Sequence, residues 1–313
     1  MSVTVKDRVI VVTGGGRGLG RDYALALAAR GAKVIVNDLG VSVDGNGSDR
    51  GPAEDVAEQI RANGGESIAH GGDATSREGS ADLVKLALDS FGRLDGCVLN
   101  AGIIRPGIPF EDIEESLFER LVETHVFGAW RLAQQSWRHF VAQRHGRLML
   151  VTSSAAIYGM AGNAGYAMTK ASVIGLLRTL AAEGEAHGIR VNAVSPHAWS
   201  RMATRVGENA EEAARNSPLR SLVPLSAVAP IAPLLMSDEL EFTGRILSVG
   251  GGHAGIVYLG ETRGIKVDRE GFDPQVINDG WATVVDRGDA VVADDTMTAF
   301  QELIGHPPIA EPA

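Results

Sequence analysis

Tyr166 and Lys170 stand four residues apart in Tyr166-Ala167-Met168-Thr169-Lys170, a spacing that places both on one face of a helix. A free tyrosine has a pKa near ~10 and is a poor base at neutral pH. An ammonium beside it favours the phenolate, so the pair suits removal of a proton from a hydroxyl group. Ser153, earlier in the chain, adds a hydroxyl that can hold the reacting oxygen and stabilise charge developing on it. Taken alone, Tyr and Lys at this spacing are also an ordinary amphipathic pair. The rest of the chain decides between the two readings.

A second cluster suits a phosphate. Thr13-Gly14-Gly15-Gly16-Arg17-Gly18-Leu19-Gly20 follows a short β-branched run and opens a helical pattern. Gly14, Gly18 and Gly20 allow a tight turn and close approach of backbone to a pyrophosphate, which the helix N-terminus beginning at Gly18-Leu19 then attracts. Asp38 ends the next apolar run, where a carboxylate accepts hydrogen bonds from both ribose hydroxyls of an adenosine and repels a 2′-phosphate. This favours NAD over NADP. Arg17 pulls the other way as a cation able to meet that phosphate, or it is simply a solvated loop residue. Asp73-Ala74 and Asn100-Ala101-Gly102 end the third and fourth apolar runs, Asp73 placed for an adenine amino group and the small residues for a cofactor crossing the sheet edge. With such a cofactor bound, its positive nicotinamide ring joins Lys170 in drawing the Tyr166 pKa down.

The elements that must position these residues follow from alternation. Apolar, β-branched runs at 8–13, 32–38, 67–70, 96–100, 147–152, 189–194 and 245–249 alternate with helical patterns at 18–30, 52–63, 77–90, 116–143, 165–186 and 227–236. This predicts a Rossmann-type, doubly wound, parallel seven-stranded α/β sheet with helices on both faces. Two stretches interrupt it, a Gly-rich insertion at 39–51 and a charged segment at 198–222. Residues 1–252 read as the NAD-binding catalytic domain and 253–313 as an extension packed on it.

The sequence resembles the short-chain dehydrogenase/reductase family. The elements that carry the resemblance are the glycine loop, Asn37-Asp38, Asn100-Ala101-Gly102, Ser153, Tyr166 with Lys170, Asn192 before Ser195-Pro196, and Gly244 with Gly250-Gly251-Gly252. They run in the expected order from residue 8 to about 252. The resemblance implies hydride exchange between a secondary alcohol and NAD. It also implies Tyr166 and Lys170 touching both substrate and cofactor, and a homodimer or homotetramer built on the long fourth and fifth helices. The family usually has an asparagine in its fourth helix, whose backbone carbonyl holds a water linked to the lysine. His125 stands at that place, in Glu123-Thr124-His125-Val126-Phe127-Gly128, and is expected to preserve the relay. Otherwise it is a helix residue satisfied by a neighbour.

Within the family, the insertion after Asp38, His125, Ala156-Ile157-Tyr158-Gly159 and the stretch Ser195-Pro196-His197-Ala198-Trp199-Ser200-Arg201-Met202 resemble the (3R)-hydroxyacyl-CoA dehydrogenase domain of multifunctional enzyme type 2. His197 and Trp199 depart from that subgroup's Asn and Gly, and Trp199 narrows the expected pocket. This resemblance implies Pro196, Ala198 and Ser200 beside the nicotinamide and an acyl-CoA as substrate. Arg201, Arg205, Arg215 and Arg220 are candidates for the coenzyme A phosphates, or belong to a solvated charged segment. A free steroid, terpenoid or sugar alcohol keeps the same chemistry, and an NAD-binding sensor without turnover is the remaining alternative.

Composition narrows the partners. The net charge of −10 disfavours nucleic acid. Cys97 is the sole cysteine and lies in an apolar run, so no intrachain disulfide forms and a reducing cytoplasm fits. No targeting segment and no apolar run of membrane-spanning length is seen, and no metal is expected.

Overall fold

The run Val9-Ile10-Val11-Val12 lacks polar alternation, the pattern of a strand covered on both faces. In the computed structural model, which describes residues 3–41, 49–199, 219–266 and 273–304, it becomes the fully buried β1 (Val9–Thr13). β1 pairs in parallel with β2 (Lys33–Asn37) on one side and β4 (Gly96–Leu99) on the other. β3 (Glu66–His70) lies outside β2, while β5 (Gly146–Val151), β6 (Ile189–Pro196) and β7 (Ile246–Gly250) continue in parallel beyond β4. The sheet order is β3-β2-β1-β4-β5-β6-β7-β8. The direction of winding therefore reverses between β1 and β4, and a crevice opens there at the carboxyl ends of the strands.

Helices cover the sheet in two groups. α1 (Gly18–Ala28) and α2 (Gly51–Ala62) pack together, burying Leu27, Val56 and Ile60. α3 (Arg77–Phe91) packs on the helical region that follows β4. Residues 116–143, expected as one helix, form three pieces: α4 (Glu115–Val122), a π-helical turn (Glu123–Phe127) and α5 (Gly128–Gln143). The Gly128 N–H reaches back five residues to the Glu123 carbonyl. That extra residue shifts the helical phase, and of the five residues in the turn only His125 is buried. α6 (Ser154–Tyr158) is a single short turn, and α7 (Ala164–Glu185) runs 22 residues against β6. After α8 (Leu219–Leu222), the helix expected at 227–236 is shorter. Pro224 and Pro230 confine the chain to a 3₁₀ turn at Leu225–Ala227, and α9 (Ile231–Met236) begins after Pro230.

The expected seven strands become eight. Gly251 and Gly252 have φ of +58° and +77°, the pair of left-handed residues that a two-residue hairpin turn requires, and β8 (His253–Val257) follows. The chain divides into one unit at Met1–Ile256 and a second at Val257–Ala313. Within the second unit, Glu261 and Val291 exchange backbone hydrogen bonds of 2.9 and 2.7 Å. Its helices are α10 (Pro274–Asp279), capped by the Asp273 side chain, α11 (Trp281–Val284) and α12 (Thr296–Ile304).

At the amino end of the central strands, Asp95 is buried to 2% exposure. It accepts the Val9 N–H at 2.9 Å, Arg93 at 2.6 and 2.8 Å, and Arg8 at 3.2 Å. Arg8 also pairs with Asp238, which Arg147 meets at 3.5 Å. Charge is thus matched internally at the end of the sheet opposite the crevice.

Candidate active site

Thr13 closes β1 and holds the two strands of the crevice together. Its Oγ1 accepts the N–H groups of Asn100 at 3.1 Å and Ala101 at 3.2 Å. The Asn100 side chain returns two bonds, to the carbonyls of Thr13 at 3.0 Å and Gly14 at 3.2 Å. The Asn100-Ala101-Gly102 turn and the glycine loop are therefore one rigid corner.

The glycines of that loop have separate reasons. Gly14 adopts φ +61° and lies against Ala101. A Cβ on Gly20 would stand 2.0 Å from the Gly14 carbonyl oxygen, so the first turn of α1 can sit this close only with glycine. A Cβ on Gly18 would meet nothing within 4 Å, because it faces open space. No side chain caps α1, and its first turn holds no acid. Its leading amides and positive dipole end face the cleft, which suits a pyrophosphate.

Asp38 sits at the far wall. Its Oδ2 accepts the Gly16 N–H at 2.9 Å and its Oδ1 accepts the Gly40 N–H at 2.8 Å. Each carboxylate oxygen keeps a second lone pair for a hydroxyl. Arg17 turns to the Val41 carbonyl at 3.2 Å and to Asp49 at 3.9 Å, which ties the cation to the loop beside it. Asp73 uses one oxygen on Thr75, accepting its N–H at 2.9 Å and its hydroxyl at 2.7 Å.

One cleft of about 1390 Å³ joins these groups to the second cluster. Of the described residues expected to act in catalysis or hold the cofactor, all but His125 line it, including Pro196 and Ala198; His125 lies buried just behind. Ser200 lies outside the described residues, as do Arg201, Arg205 and Arg215. Trp199 lines the cleft, whereas His197 turns away to the Ser248 hydroxyl at 2.7 Å.

Ser153, Tyr166 and Lys170 converge from two elements. Ser153 caps α6, its Oγ accepting the Ala155 N–H at 3.2 Å. Tyr166 lies in the first turn of α7 and Lys170 one turn on, as the spacing predicts. The Lys170 ammonium is buried and donates to the Val151 carbonyl at 3.0 Å, while its own carbonyl accepts the Thr152 hydroxyl at 2.8 Å. These two bonds fix α7 to the end of β5. Burial pulls the Lys170 pKa down to about 8. Burial pushes the Tyr166 phenol up, and a hydrogen bond with Ser153 opposes this as the smaller effect. In the chain without cofactor, desolvation of the phenol outweighs the lowering expected at Tyr166.

Several residues of the cleft escaped the sequence reading. Ile103 and Thr169 meet His125, and no local pattern announces contacts 22 and 44 residues apart. Gly107 and Ile108 both donate to the Gly162 carbonyl, at 3.0 and 3.1 Å, stitching the loop after β4 to the turn before α7. Arg120 Nε and Asn163 Oδ1, on the same wall, are buried without a hydrogen-bond partner among the described residues.

Sheet order and cleft are those of an oxidoreductase of the doubly wound α/β class. Residues 14–254 match the family model described as enoyl-(acyl carrier protein) reductase. A short-chain type dehydrogenase/reductase of Mycobacterium tuberculosis is 36% identical over 92% of this chain and 98% of its own length. The peroxisomal multifunctional enzyme type 2 of Mus musculus is 36% identical over 90% of this chain, which spans only 37% of that protein. A solved short chain dehydrogenase from Mycobacterium avium superposes with a TM-score of 0.76 at 31% identity, covering 91% of this chain and 98% of that one. The chain belongs to the short-chain dehydrogenase/reductase family. Among the described residues no helix is long and apolar enough to cross a membrane.

Proposed function

We propose that this chain is an NAD-dependent dehydrogenase that interconverts a (3R)-hydroxyacyl-CoA and the 3-oxoacyl-CoA, with Tyr166 as acid and base. The observation that carries the chemistry is the meeting of Ser153, Tyr166 and Lys170 at one end of a cleft whose other end holds the glycine loop and Asp38. NAD, when bound, supplies the acceptor for the hydride. The chain does the rest. The Tyr166 oxygen takes the alcohol proton, and the Ser153 hydroxyl holds the same oxygen as charge shifts onto it. Lys170 contributes a buried positive charge behind them. In the reverse direction Tyr166 returns the proton to the new alcohol.

The choice of NAD rests on Asp38 against the ribose and on Arg17 being occupied elsewhere. The acyl-CoA class rests on the resemblance at Ala156–Gly159 and Ser195–Met202 and on the similarity to multifunctional enzymes. A cleft of about 1390 Å³ exceeds a drug-sized pocket of roughly 300–1,000 Å³, leaving room for a dinucleotide and part of a substrate. The 253–313 stretch as an extension of the catalytic domain, a homodimer or homotetramer, and a cytoplasmic site of action belong to the same reading.

A panel of 3-hydroxyacyl-CoA esters and free secondary alcohols, followed by NADH absorbance, tests the substrate. Activity on the free alcohols alone rejects the thioester assignment. Tyr166→Phe removes one hydroxyl; turnover should fall by about 10²–10⁴-fold while NADH affinity holds. Retained turnover removes Tyr166 from its role.

A further inference from the structure

Among the described residues His125 is the one buried histidine, 2% exposed and set on the π-helical turn. Both of its ring nitrogens are engaged. Nε2 faces the Ile103 N–H at 3.1 Å, a backbone donor that cannot accept, so Nε2 must be the unprotonated nitrogen. Nδ1 lies 2.8 Å from the Thr169 hydroxyl, and that hydroxyl has its own proton directed to the Tyr166 carbonyl at 3.0 Å. The Thr169 oxygen is then an acceptor, and the ring proton belongs on Nδ1. The chain of donors runs Ile103 N–H to His125, His125 Nδ1–H to Thr169, and Thr169 O–H to Tyr166.

Protonating Nε2 as well would set two N–H groups against each other in a dry site. The charged groups around it agree. Lys170 faces it from α7, close enough that a Cβ on Gly102 would stand 3.1 Å from His125 Nε2 and 3.5 Å from Lys170 Nζ. Glu123, on the same turn, is held by Arg131. Desolvation and the Lys170 charge both keep the His125 pKa well below the usual histidine value. The ring also meets the Tyr166 ring edge-on, with centroids 5.5 Å apart and planes at 82°.

We propose that His125 is a positioning residue, an uncharged imidazole protonated on Nδ1 that ties the loop after β4 to the catalytic helix, sets Tyr166 against Ser153, and carries no proton through its ring. The relay expected at this place uses a backbone carbonyl and a water, and the imidazole adds positioning without passing a proton. This assignment rests on the reading of Tyr166 as acid and base.

The tautomer is read on the full chain without turnover, by long-range ¹H–¹⁵N correlation of the histidine rings, with the His125 signal assigned from its loss in His125→Gln. One neutral Nδ1–H form between pH 6 and pH 9 is expected. An imidazolium, or an Nε2–H form, within that range overturns the proposal. Turnover is read with acetoacetyl-CoA and NADH. His125→Phe keeps the ring and loses both hydrogen bonds, so kcat should fall about 10–100-fold with NADH affinity and KM within about threefold. His125→Gln presents a carbonyl to Ile103 and an amide N–H to Thr169 without a titrating group, and should recover at least about tenfold of that loss with an unchanged pH profile. Loss of an acidic limb of the pH profile in His125→Gln, or wild-type kcat in His125→Phe, overturns the assignment. Failure of the Tyr166 reading is seen separately, as turnover retained by Tyr166→Phe in the same assay.

Discussion

Asp38 accepts one hydrogen bond at each carboxylate oxygen from a backbone amide, one in the glycine loop and one at Gly40. It therefore shapes the glycine loop itself, besides the ribose contact proposed for it. Asp38→Asn removes the charge and sets an NH2 group against one of these two backbone donors. NADH binding should weaken about tenfold, the equivalent of one lost charge-assisted hydrogen bond, and the margin over NADPH should narrow; fluorescence titration of both cofactors checks this. Lys170 makes a pH prediction. Its pKa in the folded protein is about 8 against 10.5 for an ordinary lysine, so between those values the unfolded chain binds more protons. Stability contributed by this group consequently rises with pH across that window, and the burial penalty stands in full below it. Urea unfolding of the cofactor-free protein beside Lys170→Met should show the variant's advantage shrinking by up to about 3 kcal/mol between pH 7.5 and pH 10.5. Tyr166 shifts the other way. Its raised phenol means that alcohol oxidation should speed up toward alkaline pH, while carbonyl reduction, which needs the proton, should not; initial rates in both directions from pH 6 to 10 test it.

At the scale of elements, the joint between β1, α1 and β4 is where a small change costs most. Gly20→Ala would gain about 1 kcal/mol of helix propensity on an open helix. Here the added Cβ lands 2.0 Å from the Gly14 carbonyl, and the overpacking should cost roughly 1–3 kcal/mol and loosen the pyrophosphate turn. A lower thermal midpoint with a larger loss of NADH affinity is the expected result. The β1–α1 part of this joint was legible in the sequence because it is local: a β-branched run, glycines at fixed offsets, a helical pattern. The Tyr166 and Lys170 pair was legible for the same reason. What was not legible is long-range or degenerate. A π-helical turn has the same residue preferences as the helix around it, so nothing in Glu123–Phe127 marks the phase shift that buries His125. Gly250, Gly251 and Gly252 read equally well as the end of a sheet or as a hairpin, and the eighth strand was missed. The partners of Lys170 and His125 come from separate elements that only the folded sheet brings together.

Across the whole molecule, the two ends of the sheet differ in kind. The amino end is closed by charge matched to charge, centred on buried Asp95 between Arg8 and Arg93. Asp95→Ala leaves those cations without their shared acceptor and removes the bond to the Val9 amide. Because both arginines are partly exposed, the loss should lie near the lower part of the range for breaking a buried pair, about 3 kcal/mol, seen as a lower urea midpoint with cofactor affinity unchanged. The carboxyl end instead leaves amides, a helix terminus and polar side chains turned toward the cleft.

The wall over that cleft is joined by hydrogen bonds between the backbone of Gly107, Ile108 and Gly162. Ile104, Pro106 and Met160 line the cleft beside that seam, and their side chains take no part in these bonds. Exchanging them one at a time should change what the cleft admits while the backbone seam stays in place.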